Sequence, residues 1–297
     1  MERLVTTHII SPVESQIAPL RDAYREAIAQ KRLKLATGIV ILIVATLAAS
    51  WGAEVDLATL WNKIGNFTNY FNRLFFLDNG QRVWTDLPEW FWGLKKWGKQ
   101  LAETILMAYV ATLTGAIAAF FFCFSAARNI APSSTLMFIV RRGLEFCRTV
   151  PEIVFALIFV VAFGLGAMAG VLAIAIHTMG ALGKLFSEVV ENIDLKPVEG
   201  TRASGGTWAQ QVRFGAVPQV LSNFVSYALL RFEINVRGAA VMGFVGAGGI
   251  GQDLIEAIRK FYYSDVSAIL LLIILAVMII DALTEKLRHH LLGDVSS

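Results

Sequence analysis

Arg231, Glu233, Asn235 and Arg237 interrupt an otherwise apolar run. Ionisable groups are costly at bilayer depth, so such a set marks either a transport path or a structural pair. Glu233 and Arg237 are four residues apart in the order that favours a helical ion pair, while Arg231 and Asn235 fall on roughly the opposite face. Two readings stay open. Glu233 and Arg237 neutralise one another, or one arginine faces a passage and takes an anionic substrate through the paired hydrogen bonds of its guanidinium. His177 beside Thr178 could relay protons, but no acidic partner stands at helical spacing, and a packed, hydrogen-bonded histidine is the plainer reading.

Other chemistry finds no residues. Gly183-Lys184 is followed by leucine, and no glycine stands five before Gly183, so a phosphate-binding loop is absent. Gly246-Ala-Gly248-Gly249-Ile-Gly251 has the letters of a dinucleotide fingerprint, but a membrane helix precedes it where that motif needs a strand. Glycines at this density suit close backbone approach, or a helix broken where backbone lines a cavity. No His, Cys and carboxylate cluster has metal spacing, and no nucleophile elbow occurs. The chain is therefore expected to be no enzyme and to hold no metal or cofactor. ATP hydrolysis, if it drives the protein, belongs to a partner.

The elements that must position these residues follow from composition. The chain is 56% hydrophobic and only 16% charged over 297 residues, with the apolar residues gathered in long uncharged runs. That pattern means an all-α integral membrane protein, embedded in a lipid bilayer, with about six transmembrane helices. A net charge of +3 spread over loops gives no support for nucleic-acid binding. Cys123 and Cys147 form no disulfide framework.

In chain order, residues 1–34 form a polar tail that ends in Lys31-Arg32-Leu33-Lys34, which puts the N-terminus in the cytoplasm by the positive-inside rule. Residues 35–53 make the first span. Six of the seven tryptophans lie between Trp51 and Trp97, five of them in residues 54–100, where Leu57, Leu60, Trp61, Ile64 and Phe67 recur at helical spacing. An extracytoplasmic amphipathic segment with its aromatics at headgroup level is expected there.

Residues 101–285 hold the remaining spans. The second runs over 104–127, and Arg141, Arg142 and Arg148 mark a helix lying against the membrane. Residues 153–183 are too long for one span, and Gly164, Gly166 and Gly170 suggest a bend that makes a hairpin. The fifth span starts at Pro218, and the sixth centres on 268–280. Residues 286–297 return to the cytoplasm with Lys286, Arg288, His289 and His290.

Between the fourth and fifth spans lies a polar island, 195–217. Pro197 suits a first helical turn, Gly205-Gly206 ends that helix, and Thr207-Trp-Ala-Gln210 is a capping box. Two short helices with a hinge are expected, with Pro218 opening the next span. The spacing resembles the signature of ABC-importer permeases, Glu-Ala-Ala, three residues, Gly, nine residues, Ile-x-Leu-Pro. Glu199, Gly205, Val217 and Pro218 fall in register, whereas Gly200, Thr201 and Gly215 depart from it.

Pro151-Glu152, that elbow, and the run Arg231-Phe-Glu233-Ile-Asn235-Val-Arg237-Gly238 followed by Gly243-Phe-Val-Gly246-Ala-Gly248-Gly249-Ile-Gly251 together resemble the permease subunit of phosphonate ABC importers. The glycine run is also similar to methionine-importer permeases. Gly238 stands where the resemblance leads one to expect serine or alanine. The resemblance implies a type I, methionine-importer-like permease core in the bacterial cytoplasmic membrane, with both termini inside. It implies a homodimer, two ABC ATPase subunits that carry the ATP and Mg, and an extracytoplasmic phosphonate-binding protein. Glu199 would contact the ATPase, Gly205 would allow the turn, and Pro218 would fix the exit. Arg231 or Arg237 would guide the anion, and Gly246, Gly248, Gly249 and Gly251 would form the outer closure. A methionine or other small-solute permease, and more distantly an ion-coupled secondary transporter using His177, Glu233 and Arg237, are the competing readings.

Overall fold

The computed structural model describes residues 12–293. The outer parts of both expected tails, 1–11 and 294–297, and the side chain of His290 lie outside the described residues. Two units are present, residues 1–68 and 69–297.

In the first unit, α1 (Pro12–Gly52) is one continuous helix, so most of the polar tail extends the first apolar run. α2 begins at Leu57 and ends at Arg73. Its Leu57, Leu60, Trp61, Ile64 and Phe67 are all exposed. An exposed apolar stripe at helical spacing suits a face made for lipid.

In the second unit, the chain passes a turn closed by an antiparallel bridge between Phe76 and Arg82 and reaches α3 (Leu87–Trp90), which Asp86 caps. α4 (Leu94–Ala126) follows. Here the aromatic belt divides. Trp97 lies in the first turn of α4 and is buried at 3% exposure, while the Trp90 and Trp92 indoles donate to Ser267 and Asp265, each at 2.9 Å. Trp97 therefore packs inside the protein and Trp90 is partly buried, whereas Trp92 stays exposed at 65% while it hydrogen-bonds. Lys96 is equally committed, since it pairs with the buried Asp253 at 2.7 Å. That partner explains a lysine at a span end where the charge rule disfavours one.

α5 (Ser134–Thr149) starts at the Ser133 cap and α6 (Glu152–Phe163) follows after a bend of 87°. Gly164 and Gly166, both at positive φ, then turn the chain into α7 (Ala167–Glu191). The bend expected near Gly170 is confined to those two glycines; Gly170 itself packs inside α7 against Met107 and Ala247. With 12 residues α6 rises about 18 Å, well short of a bilayer core of about 30 Å. The hairpin is lopsided. α5 seats its backbone against α7, where a Cβ at Gly180 would stand 2.7 Å from the Leu144 carbonyl oxygen.

α8 (Lys196–Ala203) and α9 (Trp208–Gln210) make the elbow, and a π turn over Gln211–Ala216 leads into α10 (Val217–Met242). Beyond the glycine run, α11 (Gly251–Arg259) precedes α12 (Tyr263–Gly293). Among the described residues, four helices are long and apolar enough to cross a membrane, or five if the bent α5–α6 pair counts as one span. α10 is long enough at 26 residues. Its charges keep it out of a count made on apolar composition.

Hydrophobic association is weak inside lipid, so packing and hydrogen bonds must hold these helices together. Toward the elbow, Phe186 of α7 stacks on Phe224 of α10 with ring centroids 4.0 Å apart. Near the middle, the Asn235 amide of α10 donates to Thr112 of α4 and to Thr178 of α7, both at 2.8 Å. One side chain thereby ties three helices.

Candidate functional site

The elbow is built by local capping. Gly205 N–H donates to the Arg202 carbonyl at 3.0 Å and Gly206 N–H to the Thr201 carbonyl at 3.0 Å, the paired bonds that close a helix through a left-handed residue. Gly205 is that residue, at φ +82, where any side chain would be strained. Thr207 and Gln210 then form the capping box that starts α9, with Thr207 N–H donating to Gln210 Oε1 at 2.7 Å. Pro218 lies in the first turn of α10, where a missing N–H costs nothing.

The two arms of the elbow touch at Gly215, where a Cβ would stand 2.8 Å from Val198 Cα and 2.9 Å from its nitrogen. The departure from the expected isoleucine therefore has a steric reason. Gln219 fastens the base, accepting from Asp194 N–H and donating to the Asp194 carbonyl, each at 3.0 Å. Trp208 donates to the Ile130 carbonyl at 2.7 Å and ties the elbow to the α4–α5 connection. Glu199, Arg202, Arg213 and Phe214 stand exposed on the outside. The result is a locally capped elbow that exposes these side chains.

The glycine run is wedged between two helix starts. Gly166 N–H donates to the Gly246 carbonyl at 3.0 Å and Ile250 N–H to Thr104 Oγ1 at 2.9 Å. A Cβ at Gly248 would stand 2.9 Å from Ala167 Cα, and one at Gly249 would stand 2.6 Å from Thr104 Oγ1. Gly251 opens α11 and abuts Gly243. The run packs against helices and lacks the strand that a dinucleotide fold needs.

The four polar residues of α10 fall into three environments. Asn235, 1% exposed, is the three-helix tie described above, which makes it a packing group rather than part of an open passage. Glu233 and Arg237 approach to 3.5 Å, and Arg237 also meets Asp281 of α12 at 3.5 Å. Two carboxylates neutralise that one guanidinium, so Arg237 has little charge to offer an anion.

Arg231 differs. Among the described residues it has no carboxylate within 4 Å, and its buried Nε lacks a hydrogen-bond partner. Glu152 opens α6 and His177 lies within α7. Glu152 Oε2 lies 3.9 Å from His177 Nδ1, and both side chains are partly exposed, at 27% and 20%. An acidic side chain from another helix thus stands beside His177, but no hydrogen bond joins them. The buried His177 Nδ1 has no hydrogen-bond partner among the described residues, unlike the hydrogen-bonded histidine expected. No periodicity within α7 could reveal that acidic neighbour. Gly238 makes the room, since a Cβ there would stand 2.5 Å from Glu152 Oε1. Its departure from serine or alanine thus has a steric reason too. His177 is ten residues into α7, about 15 Å along the axis, which is about half of a bilayer core. Broken helices that meet at such a depth are where many transporters bind their cargo.

Comparison with known proteins gives consistent results. Residues 112–292 match the family model described as binding-protein-dependent transport system inner membrane component. The phosphite transport system permease protein PtxC of Stutzerimonas stutzeri is 40% identical over 69% of this chain and 74% of its own length. The phosphate-import permease protein PhnE of Mycolicibacterium smegmatis is 33% identical over 84% of this chain, which spans 44% of that relative. A putative cryptic phosphonate transport system permease protein of Escherichia coli K12 is 50% identical over 40% of this chain and 98% of its own length. Among solved structures, an inward-facing MetNI methionine ABC transporter chain superposes with a TM-score of 0.56 at 20% identity, covering 66% of this chain and 95% of that one. A chain of an amino acid ABC transporter does so with 0.53 at 18% identity, covering 67% and 98%. At those identities the structures speak for the fold alone.

Proposed function

Because the chain belongs to the family of binding-protein-dependent transport system inner membrane components, we propose that it is the permease subunit of an ATP-driven importer for phosphonate, phosphite or a related phosphorus oxyanion. The observation that carries this reading is Arg231, a guanidinium inside the α10 span that has no carboxylate at ion-pair distance among the described residues and whose buried Nε is unpartnered. The names of the relatives, phosphite, phosphate and phosphonate permeases, point to the same class of anion.

In this reading two copies of the chain pair in the bacterial cytoplasmic membrane with both termini inside. Each elbow seats one ABC ATPase subunit, which alone holds ATP and Mg. Glu199, exposed on α8, meets the ATPase, while Gly205 and Pro218 keep the elbow rigid enough to pass on its motion. An extracytoplasmic binding protein delivers the anion at the glycine-run face, where Gly246, Gly248, Gly249 and Gly251 close the outer end. ATP-driven closure of the ATPases pushes the elbows, and the core helices rock between outward-open and inward-open states. Arg231 guides the anion during that exchange. The neutralised Arg237 braces α10 on α12.

Uptake of labelled phosphite and methylphosphonate by proteoliposomes that hold the chain with its ATPase and binding protein tests this. Uptake that needs ATP and falls with Arg231→Ala supports the reading. Uptake that runs on an ion gradient without ATP contradicts it.

A further inference from the structure

Asp253 of α11 and Asp265 of α12 line one cavity of about 160 Å³, together with the rings of Trp92 and Tyr262. The two lysines that also line it are already committed. Lys96 pairs with Asp253 Oδ1 at 2.7 Å, and Lys260 pairs with Glu256 at 2.5 Å. Acceptors are left over. Asp253 is only 7% exposed, and its other oxygen, Oδ2, is buried with no hydrogen-bond partner among the described residues. Asp265 accepts from the Trp92 indole at 2.9 Å and makes no ion pair among the described residues. Three carboxylates against two lysines leave the cavity with negative charge in excess. A buried carboxylate oxygen calls for a donor, so the occupant that fits is a cation with N–H groups to give.

Size and surroundings narrow its identity. The cavity is smaller than the roughly 300 Å³ at which small-molecule sites begin. Among the described residues no three carboxylate, histidine or cysteine groups converge as metal ligands would. Trp92 and Tyr262 are 65% and 48% exposed, which leaves ring faces for a guanidinium to stack on while it donates to carboxylates. Lys96 stands eight residues before the uncharged run that starts at Thr104, about 12 Å along α4. A headgroup layer is only about 5–8 Å deep, so this side of the cavity opens to water beyond the lipid.

Resting on the importer reading above, we propose that the cavity is a socket for one arginine side chain of the extracytoplasmic binding protein. α11 follows directly on the glycine run, so the socket adjoins the face at which that protein delivers its cargo. The arriving guanidinium donates to Asp253 Oδ2 and Asp265, and Trp92 and Tyr262 flank it.

The test is the affinity of purified, phosphite-loaded binding protein for the permease–ATPase complex in nanodiscs. Asp265→Asn removes the charge and retains an oxygen for the Trp92 indole. It should weaken that affinity by about tenfold and flatten its salt dependence, while ATP hydrolysis without binding protein stays unchanged. Alanine substitution of each surface arginine of the binding protein should identify one whose loss costs the parent complex about tenfold and the Asp265→Asn complex nothing further. If Asp265→Asn does not assemble, Trp92→Leu, at an exposed ring, should weaken the affinity and couple to the same arginine. Parental affinity in an assembled variant overturns the socket, as do arginine substitutions whose effects all add to that of the variant. An ethanolamine lipid retained by the parent and lost in Asp265→Asn, at unchanged affinity for the binding protein, gives the cavity to a headgroup and overturns the proposal too. No binding by the parent complex instead overturns the importer reading on which it rests.

Discussion

Glu152 Oε1 stands 2.5 Å from the place a Cβ would take on Gly238, so the absence of one side chain sets the position of another. The obstacle is the free end of a flexible side chain, which can swing aside. Gly238→Ala is accordingly expected to unfold within ~1 kcal/mol of the parent in detergent. Uptake by the same variant should nonetheless fall several-fold, because the displaced carboxylate disturbs the intramembrane polar groups beside it, His177 first. Calorimetry and uptake on one preparation check both halves. Equal loss of fold and function would mean that Gly238 serves packing alone.

Asn235 predicts the opposite pattern. Its amide satisfies Thr112 and Thr178 across two helix interfaces. Asn235→Leu should lower stability by about 1–2 kcal/mol, since each intramembrane hydrogen bond contributes modestly. The folded remainder should retain the parent's apparent affinity for phosphite. Thermal unfolding and uptake KM separate the two effects, and a raised KM without destabilisation would return Asn235 to the passage.

At the elbow, Gly215→Ala should cost about 1–3 kcal/mol through overpacking. The near atoms include the Cα and nitrogen of Val198, so trimming Val198 to alanine should not restore stability. Full rescue by the double variant would show that only the Val198 side chain stands in the way.

Gly205→Val should insert normally yet uncouple transport from ATP hydrolysis. A branched residue at φ +82 is strained by roughly 1–2 kcal/mol or more. Normal substrate-stimulated hydrolysis in that variant would contradict the coupling role of the elbow.

How much of this was legible in the sequence depends on range. The elbow was, because Pro197, Gly205, the Thr207–Gln210 box and Pro218 act through neighbours a few residues away. The helix nature of α2, α4 and α10 was legible from periodicity and uncharged length. The acidic neighbour of His177 was not, since Glu152 lies 25 residues before it on a different helix. Trp97 was read as interfacial because composition cannot tell an indole facing lipid from one facing α11 and α12. α11 hid behind the glycine run, being only nine residues long and amphipathic. The departures at Gly215 and Gly238 looked like noise in a motif until their neighbours from α8 and α6 were in place.

The central claim, an ATP-driven permease for a phosphorus oxyanion, is tested most directly by ATP hydrolysis. The chain is reconstituted in liposomes with its ATPase and binding protein and titrated in turn with methylphosphonate, phosphite and methionine. Stimulation by methylphosphonate or phosphite, lost in Arg231→Ala and retained in Arg237→Ala, is the predicted result. Stimulation by methionine alone, or by the phosphorus oxyanions equally well in Arg231→Ala, would contradict it.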